Sequence, residues 1–226
     1  MKEEYIMKLN ENTLTVLKNF ASINSGLVIR KGKVQRTISP DETVLAEASL
    51  EDDFPEIFGI YELTNFLGNV TTLSNPDMSF SDKSVVLKDG DLELNYFSCS
   101  TNLITSPPEG KELVMSDPTA TFTITNSNLQ KILRLSAMNE LTHLSILGKN
   151  GKISLRANEL KNDTSNSVSI EVGEYEGDDF KASLKVDNIK VIPDDYTVNI
   201  KVGRFTHWVN KNNTLKYFIA FEKDKK

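Results

Sequence analysis

The strongest constraint on this chain is a stretch that occurs twice, half a chain apart, and lacks acid both times. Asn12 to Asn24 reads NTLTVLKNFASIN and Asn126 to Asn139 reads NSNLQKILRLSAMN. At about 100° per residue, Leu14, Val16, Leu17, Phe20, Ala21 and Ile23 share one side of the first, and Thr15, Lys18, Asn19 and Ser22 the other. In the second, Leu129, Ile132, Leu133 and Ser136 oppose Ser127, Gln130, Lys131 and Arg134. Both stretches are predicted to be helices with an apolar core side and a polar, faintly basic outer side.

The missing carboxylates matter because the chain is acidic overall. It has 226 residues, 32 Asp+Glu against 26 Lys+Arg, and a formal net charge of −6. At that frequency the two stretches together would hold roughly four carboxylates. They also match in order, Val16-Leu17-Lys18 against Ile132-Leu133-Arg134, and each leads through a glycine turn into a strand, at Gly32-Lys33-Val34 and Gly151-Lys152-Ile153. A repeat at half length indicates a duplicated domain.

Strand signals fill the rest. Glu4 to Asn10 reads as a short opening strand, and Gly26 to Arg30, Lys33 to Ser39 and Thr43 to Leu50 alternate as an antiparallel meander would. An acidic loop, Glu51 to Glu56, precedes a further amphipathic helix, Gly59 to Leu73, with Ile60, Leu63, Phe66, Leu67 and Val70 inward and Tyr61, Asn65, Asn69 and Thr72 outward. Strands at Asp77 to Ser81, Ser84 to Lys88 and Asp91 to Ser98 complete a half that uses a βαβββ unit twice.

The second half restarts with Thr119 to Ile124 and its helix. Strands follow at Leu144 to Leu147, Lys152 to Asn158, Ser167 to Val172 and Lys181 to Val186, then a short helical turn from Val186 to Ile192 stopped by Pro193. Tyr196 to Val202, Thr206 to Val209 and Leu215 to Phe221 are the last strands, and Lys223, Lys225 and Lys226 form a frayed tail. Three prolines and a glycine in SPPEGKELVMSDP mark a linker. The expected fold class is α+β, with domains at 1–108 and 119–226 joined by a linker at 109–118.

Several function classes are disfavoured. The start, MKEEYIMKLN, is acidic where a signal peptide needs a basic and then an apolar run, and no stretch is apolar enough to cross a bilayer, so a cytoplasmic protein without a membrane partner is expected. Cys99, the only cysteine, has no disulfide partner within the chain and no motif of a nucleophile. His143 and His207 are the only histidines and form no zinc or triad pattern. The pairs Asp52-Asp53, Asp178-Asp179 and Asp194-Asp195 read as solvated turns in preference to metal or acid/base sites. No phosphate-cradling glycine loop is present, so any ATP requirement belongs to a partner. Neither an enzyme nor a resident cofactor or metal is expected. The acidic balance also argues against a conventional DNA-binding domain, because phosphate contacts need a dense basic surface.

Three strings, LKNFASINSG (Leu17 to Gly26), IYELTNFLG (Ile60 to Gly68) and VGEYEGDDF (Val172 to Phe180), together with length and duplicated layout, carry a resemblance to a known family. The chain resembles, over essentially its full length, the sliding clamps of T-even-like bacteriophages, which are DNA polymerase processivity factors. The resemblance implies a DNA clamp fold: a homotrimeric ring of six similar domains with helices lining the hole and sheets outside. It also implies that an ATP-driven clamp loader opens and closes the ring around duplex DNA, that the ring tethers the polymerase in the cytoplasm of the infected host, and that late-transcription factors are further partners.

On that reading a few spaced cations orient the duplex without pinning it. Lys18, Lys131, Arg134 and Lys190 are the DNA-facing candidates, with Asn65 and Asn69 as uncharged liners. Leu113 and Val114 in the linker and Tyr217, Ile219 and Phe221 near the C-terminus are candidates for a pocket that takes partner peptides. Asp91 to Ser98 and Ser167 to Val172 are candidate edge strands for closing the ring. Strand content alone would also permit a β-rich structural or assembly protein of a virion.

Overall fold

The computed structural model describes residues 5–222 apart from Asp82 and Asp163. Part of the expected opening strand and all three tail lysines therefore lie outside the described residues. The chain divides into two compact units, the first ending at Lys111 and the second beginning at Glu112.

In the first unit the order is β1 (Ile6–Met7), α1 (Glu11–Ile23), β2 (Leu27–Ile29), β3 (Gly32–Ile38) and β4 (Val44–Phe54), then β5 (Phe58–Ile60), α2 (Leu63–Thr72), β6 (Asp77–Phe80), β7 (Ser84–Asp89) and β8 (Leu92–Phe97). This is βαβββ twice. The expected layout holds once β5 is recognised as the opening strand of the second copy. The predicted helix from Gly59 is thereby corrected: Ile60 belongs to β5, paired with Leu27, and α2 begins three residues later.

Two other expectations change. The acidic run is not a loop, because β4 continues through Asp52 to a buried Phe54. The meander is interrupted, since β3 pairs with β4 while β2 pairs with β5. A side chain fills the gap: the buried Gln35 amide accepts from the Arg30 N–H at 2.8 Å and donates to the Arg30 carbonyl at 2.8 Å. It supplies the bonds that a neighbouring strand would have supplied. A second sheet runs β1-β6-β7-β8, all antiparallel.

The second unit repeats the order: β9 (Ala120–Ile124), α3 (Asn126–Met138), β10 (His143–Lys149), β11 (Lys152–Asn158), β12 (Val168–Glu174), β13 (Phe180–Lys185), β14 (Tyr196–Lys201), β15 (Phe205–Asn210) and β16 (Leu215–Ala220). Where the first unit places α2, the second has only a three-residue 3-10 turn, Val186–Asn188. One sheet runs β12-β11-β10-β13, and β9, β14, β15 and β16 pair in sequence in another.

Each core follows from the amphipathic elements. In the first unit α1 sets Val16, Leu17, Phe20 and Ile23 against α2, β3 and β4. Burying such side chains contributes about 1.5–3 kcal/mol each. In the second, Tyr196, Trp208 and Tyr217 form an aromatic core with near edge-on rings at 5.9 and 6.1 Å. Their polar tips are satisfied: the Trp208 indole donates to the Thr206 hydroxyl at 2.8 Å and the Tyr196 hydroxyl to the Ile192 carbonyl at 2.6 Å.

Candidate nucleic-acid interface

The local chemistry of each helix decides which side faces out. Asn10 caps α1 by accepting from the Asn12 N–H at 2.8 Å, and Thr125 caps α3 by accepting from the Asn128 N–H at 3.3 Å. Carboxylates finish both N-termini. Asp52 accepts from the Asn10 N–H at 2.8 Å, and Asp195 from the Asn126 N–H at 2.7 Å. Two of the acidic pairs thus have structural roles, meeting the positive end of a helix. The helix start at Glu11 also adds one acid to the first turn of α1.

With the apolar sides buried, α1 exposes Asn12, Thr15, Lys18 and Ser22, α2 exposes Thr64, Asn65, Gly68, Thr71 and Thr72, and α3 exposes Ser127, Lys131, Arg134, Leu135 and Met138. Lys18, Lys131 and Arg134 form no ion pair with any described carboxylate. Each is a solvated cation on a flank that lacks acid beyond the first turn of α1. Asn65 is exposed and donates to the Glu62 carboxylate. Asn69 is half-buried, and so is Lys190, just past the 3-10 turn, with its amide donating to the Asn188 carbonyl at 2.9 Å.

Sequence reasoning missed two features of these flanks. Leu135 and Met138 stand exposed beside the α3 cations, Met138 at 79%. Between α1 and α2 lies an open cleft of about 410 Å³ lined by Lys18, Ala21, Thr64, Leu67, Gly68, Thr71 and Thr72. Helical periodicity placed Lys18 and Thr72 on outer faces, yet only the side-by-side packing of the two helices makes a cleft of them.

The peptide-pocket candidates divide. Leu113 and Val114 are exposed, Val114 at 69%, and Phe221 is half-buried. Tyr217 and Ile219 are core residues at 1% and 0% exposure and present no side-chain surface to a peptide. The reason is the alternation of β16, which turns both inward, Tyr217 into the Tyr196–Trp208 cluster. The expected linker is held at its start within the first unit: Arg30 donates to the Glu109 carboxylate at 2.5 Å and to the Pro107 carbonyl at 2.8 Å, and Arg36 to the Lys111 carbonyl at 3.1 Å.

Both candidate edge strands are edges of their own sheets. Among the described residues β8 pairs only with β7, and β12 only with β11. On β8, Leu92 and Phe97 are exposed, while Val168, Ile170 and Val172 of β12 are half-buried.

His207 stacks on Phe218 at 4.3 Å, and His143 shares a 2.7 Å hydrogen bond with the Thr142 hydroxyl. Burial pushes the Cys99 thiol pKa up, away from the reactive thiolate. No group of three or more His, Cys, Asp or Glu able to hold a metal occurs among the described residues.

Comparison with known proteins settles what kind of fold this is. The sliding clamp of Vibrio phage KVP40 is 33% identical over 221 residues, covering 96% of this chain and 99% of that protein. This chain belongs to the sliding-clamp family. Family models agree half by half: the one described as DNA polymerase processivity factor matches residues 8–98, and the one described as gp45 sliding clamp, C terminal, matches residues 121–223. The sliding clamp of Enterobacteria phage T4 is 29% identical over 84% of this chain and 85% of its own length.

Among solved structures, the PCNA of A. fulgidus, determined with the C-terminal region of FEN-1 bound, superposes with a TM-score of 0.72 at 14% identity, covering 99% of both chains. The DNA polymerase sliding clamp of Pseudomonas aeruginosa gives 0.66 at 13% identity, covering 96% of this chain and 66% of its own. The clamp fold is therefore shared where sequence identity has largely gone. The chain functions as a DNA polymerase processivity factor, and the virion-protein alternative is set aside.

Proposed function

We propose that three copies close into a ring around duplex DNA, with the exposed flanks of α1, α2 and α3 lining the hole, and that an ATP-driven loader opens this ring. The observation that carries the reading is the set of solvated cations, Lys18, Lys131 and Arg134, on helix flanks that are short of acid in a chain of net charge −6. Each copy contributes two units, so a ring of six needs three copies. Such sparse cations orient a polyanion without the dense contacts of a fixed complex, and the acidic remainder discourages DNA from the outside. Topology then keeps the ring on DNA.

Closure is assigned to β8 of one copy meeting β12 of the next. The half-buried row Val168, Ile170 and Val172 would continue the row Leu92, Leu94 and Tyr96, and the unpaired backbone groups of both edges would find partners. Residues 109–118 serve as the connector between domains, and Leu113 and Val114 within it offer apolar side chains to the polymerase or to a late-transcription factor. The protein has no chemistry of its own in this role.

The test combines mass and retention. Light scattering should give a trimer, and the protein should stay on closed circular primed DNA only after a loader and ATP are supplied. Changing Lys18, Lys131 and Arg134 together to Ala should lower processivity at physiological salt with the trimer intact. Unchanged processivity would remove these residues from the interface.

A further inference from the structure

The outer face of a sheet in the second unit carries a serine that does not reach solvent. Along β10, Leu144 and Ile146 turn into the core, so Ser145 points to the opposite face, yet it is only 1% exposed. Pairing sets it beside Arg156 of β11 and Ser183 of β13, with Asn158 and Lys181 two residues along those strands on the same face. Ser145, Arg156, Asn158 and Lys181 share a cavity of about 120 Å³ with the connection that leads from β11 to Ser167, at the foot of β12.

Inside it the acceptors are taken and the donors are not. The Ser145 hydroxyl donates to the Asn158 side-chain oxygen at 2.8 Å, so the 2.9 Å contact between Ser145 and Ser183 is donated by Ser183. The Asn158 amide is thereby oriented with its NH2 group clear of any described partner. Arg156 gives one N–H to the Ser167 oxygen at 3.1 Å, which leaves the Ser167 proton and the other guanidinium donors available. Lys181 forms no ion pair with any described carboxylate. Glu159 is the one carboxylate among the described residues of the lining, and both its oxygens are engaged, by the Thr142 hydroxyl at 2.6 Å and the Lys161 N–H at 3.1 Å. Two cations against one carboxylate leave the cavity positive, in a chain of net charge −6.

A surplus of donors around a small space calls for a ligand that only accepts. A cation would be repelled by Arg156 and Lys181, and a flat carboxylate meets donors in one plane. Here they converge from β11, from β13 and from the residue that precedes β12, which suits the oxygens of a tetrahedral anion. The volume is that of one such group, well below the roughly 300–1,000 Å³ of pockets that hold whole small molecules.

We propose that this cavity binds one phosphate-class oxyanion, held by Arg156, Lys181, the Asn158 amide and the Ser167 hydroxyl. Bound there, the anion fastens the foot of β12 to the sheet face beside it. The site lies wholly within the second unit and stands independently of the ring.

The experiment titrates the 226-residue protein with sodium phosphate and with glycerol phosphate by calorimetry, against sodium chloride and sodium acetate at matched ionic strength, beside melting temperature. Phosphate should bind at one site per chain and raise the melting temperature. Arg156→Gln and Lys181→Gln should each weaken it about tenfold or more, the loss of one charge-assisted contact. Lys181→Arg should retain binding, and Lys88→Gln, in the first unit, should not alter it. Arg156 and Lys181 are exposed side chains, so both variants should melt in chloride as the wild type does. If Arg156→Gln melts lower, Lys181→Gln and Lys181→Arg decide the matter. Binding of glycerol phosphate as well as phosphate supports the site with a monoester as its source, and binding of phosphate alone supports it with the free ion. Absence of saturable phosphate binding, equal binding of acetate, or wild-type affinity in either cation variant that keeps its melting temperature overturns the site.

Discussion

The two units carry the same order of elements, yet the first sets two helices side by side and the second sets one helix beside a three-residue turn. The difference begins in sequence. Leu63, Phe66, Leu67 and Val70 give α2 a complete buried side, whereas the corresponding stretch of the second unit reads VDNIKVIP and meets Pro193 before a second turn can form. A duplicated chain can therefore keep its sheet pattern while letting one helix wither. The inner strands are tied by ladders on both sides, whereas a helix on a sheet face can shorten without breaking them.

The largest effect expected of a single change concerns the edges. Ile170→Lys should break the proposed trimer into monomers by light scattering, because an unpaired charge pressed into an interface is strongly destabilising. Leu92→Lys should do the same from the other unit. If only one of them acts, β8 and β12 are not the two sides of one joint.

Next in size are the cores. Trp208→Ala in the second unit and Phe20→Ala in the first should each cost about 3–5 kcal/mol, read from denaturant midpoints. One shared transition in both variants would mean that the units unfold together. Two transitions, with only the mutated half shifted, would show that each core stands alone.

A smaller effect of opposite sign is expected at the α2 glycine, where Gly68→Ala should raise stability by about 0.5–1 kcal/mol, seen as a higher melting temperature. A loss of stability there would mean that the first unit needs the glycine for its own packing.

The smallest concerns pH. Burial pushes the Tyr217 hydroxyl pKa up to about 12 and that of Tyr196 higher still, whereas in an unfolded chain both ionise near pH 10. Neutral tyrosine is the form that the fold holds, so this contribution is complete below about pH 10 and is lost as pH rises beyond it. Melts taken from neutral to alkaline pH should show the second unit weakening over that range. Constant stability across it would mean that these hydroxyls are more open to water than the packing indicates.

Much of this was legible in the residues. The core sides of α1 and α3 follow from helical period, and Lys18, Lys131 and Arg134 stand on the outer arcs where that period puts them. Phe58 to Ile60 escaped because its apolar run blends into the period of α2, so strand and helix read as one element. Glu51 and Asp52 looked like loop because composition was weighed above alternation, although Phe54 ends the strand buried. The Gln35 bridge had no local signal at all, since it depends on where Arg30 lies in space. Tyr217 and Ile219 carry the apolar character that suits a peptide pocket and a strand core alike, and only the packing of β16 shows them buried.

The carboxylates at the heads of α1 and α3 have a consequence for movement. Bare helix amides are ready-made anion traps, and a phosphate lodged in one would stall the protein at a fixed spot. With Asp52 and Asp195 already seated there, a nucleic acid threaded through the proposed ring would meet only shallow flanks, and the energy profile beneath it would stay smooth enough for diffusion.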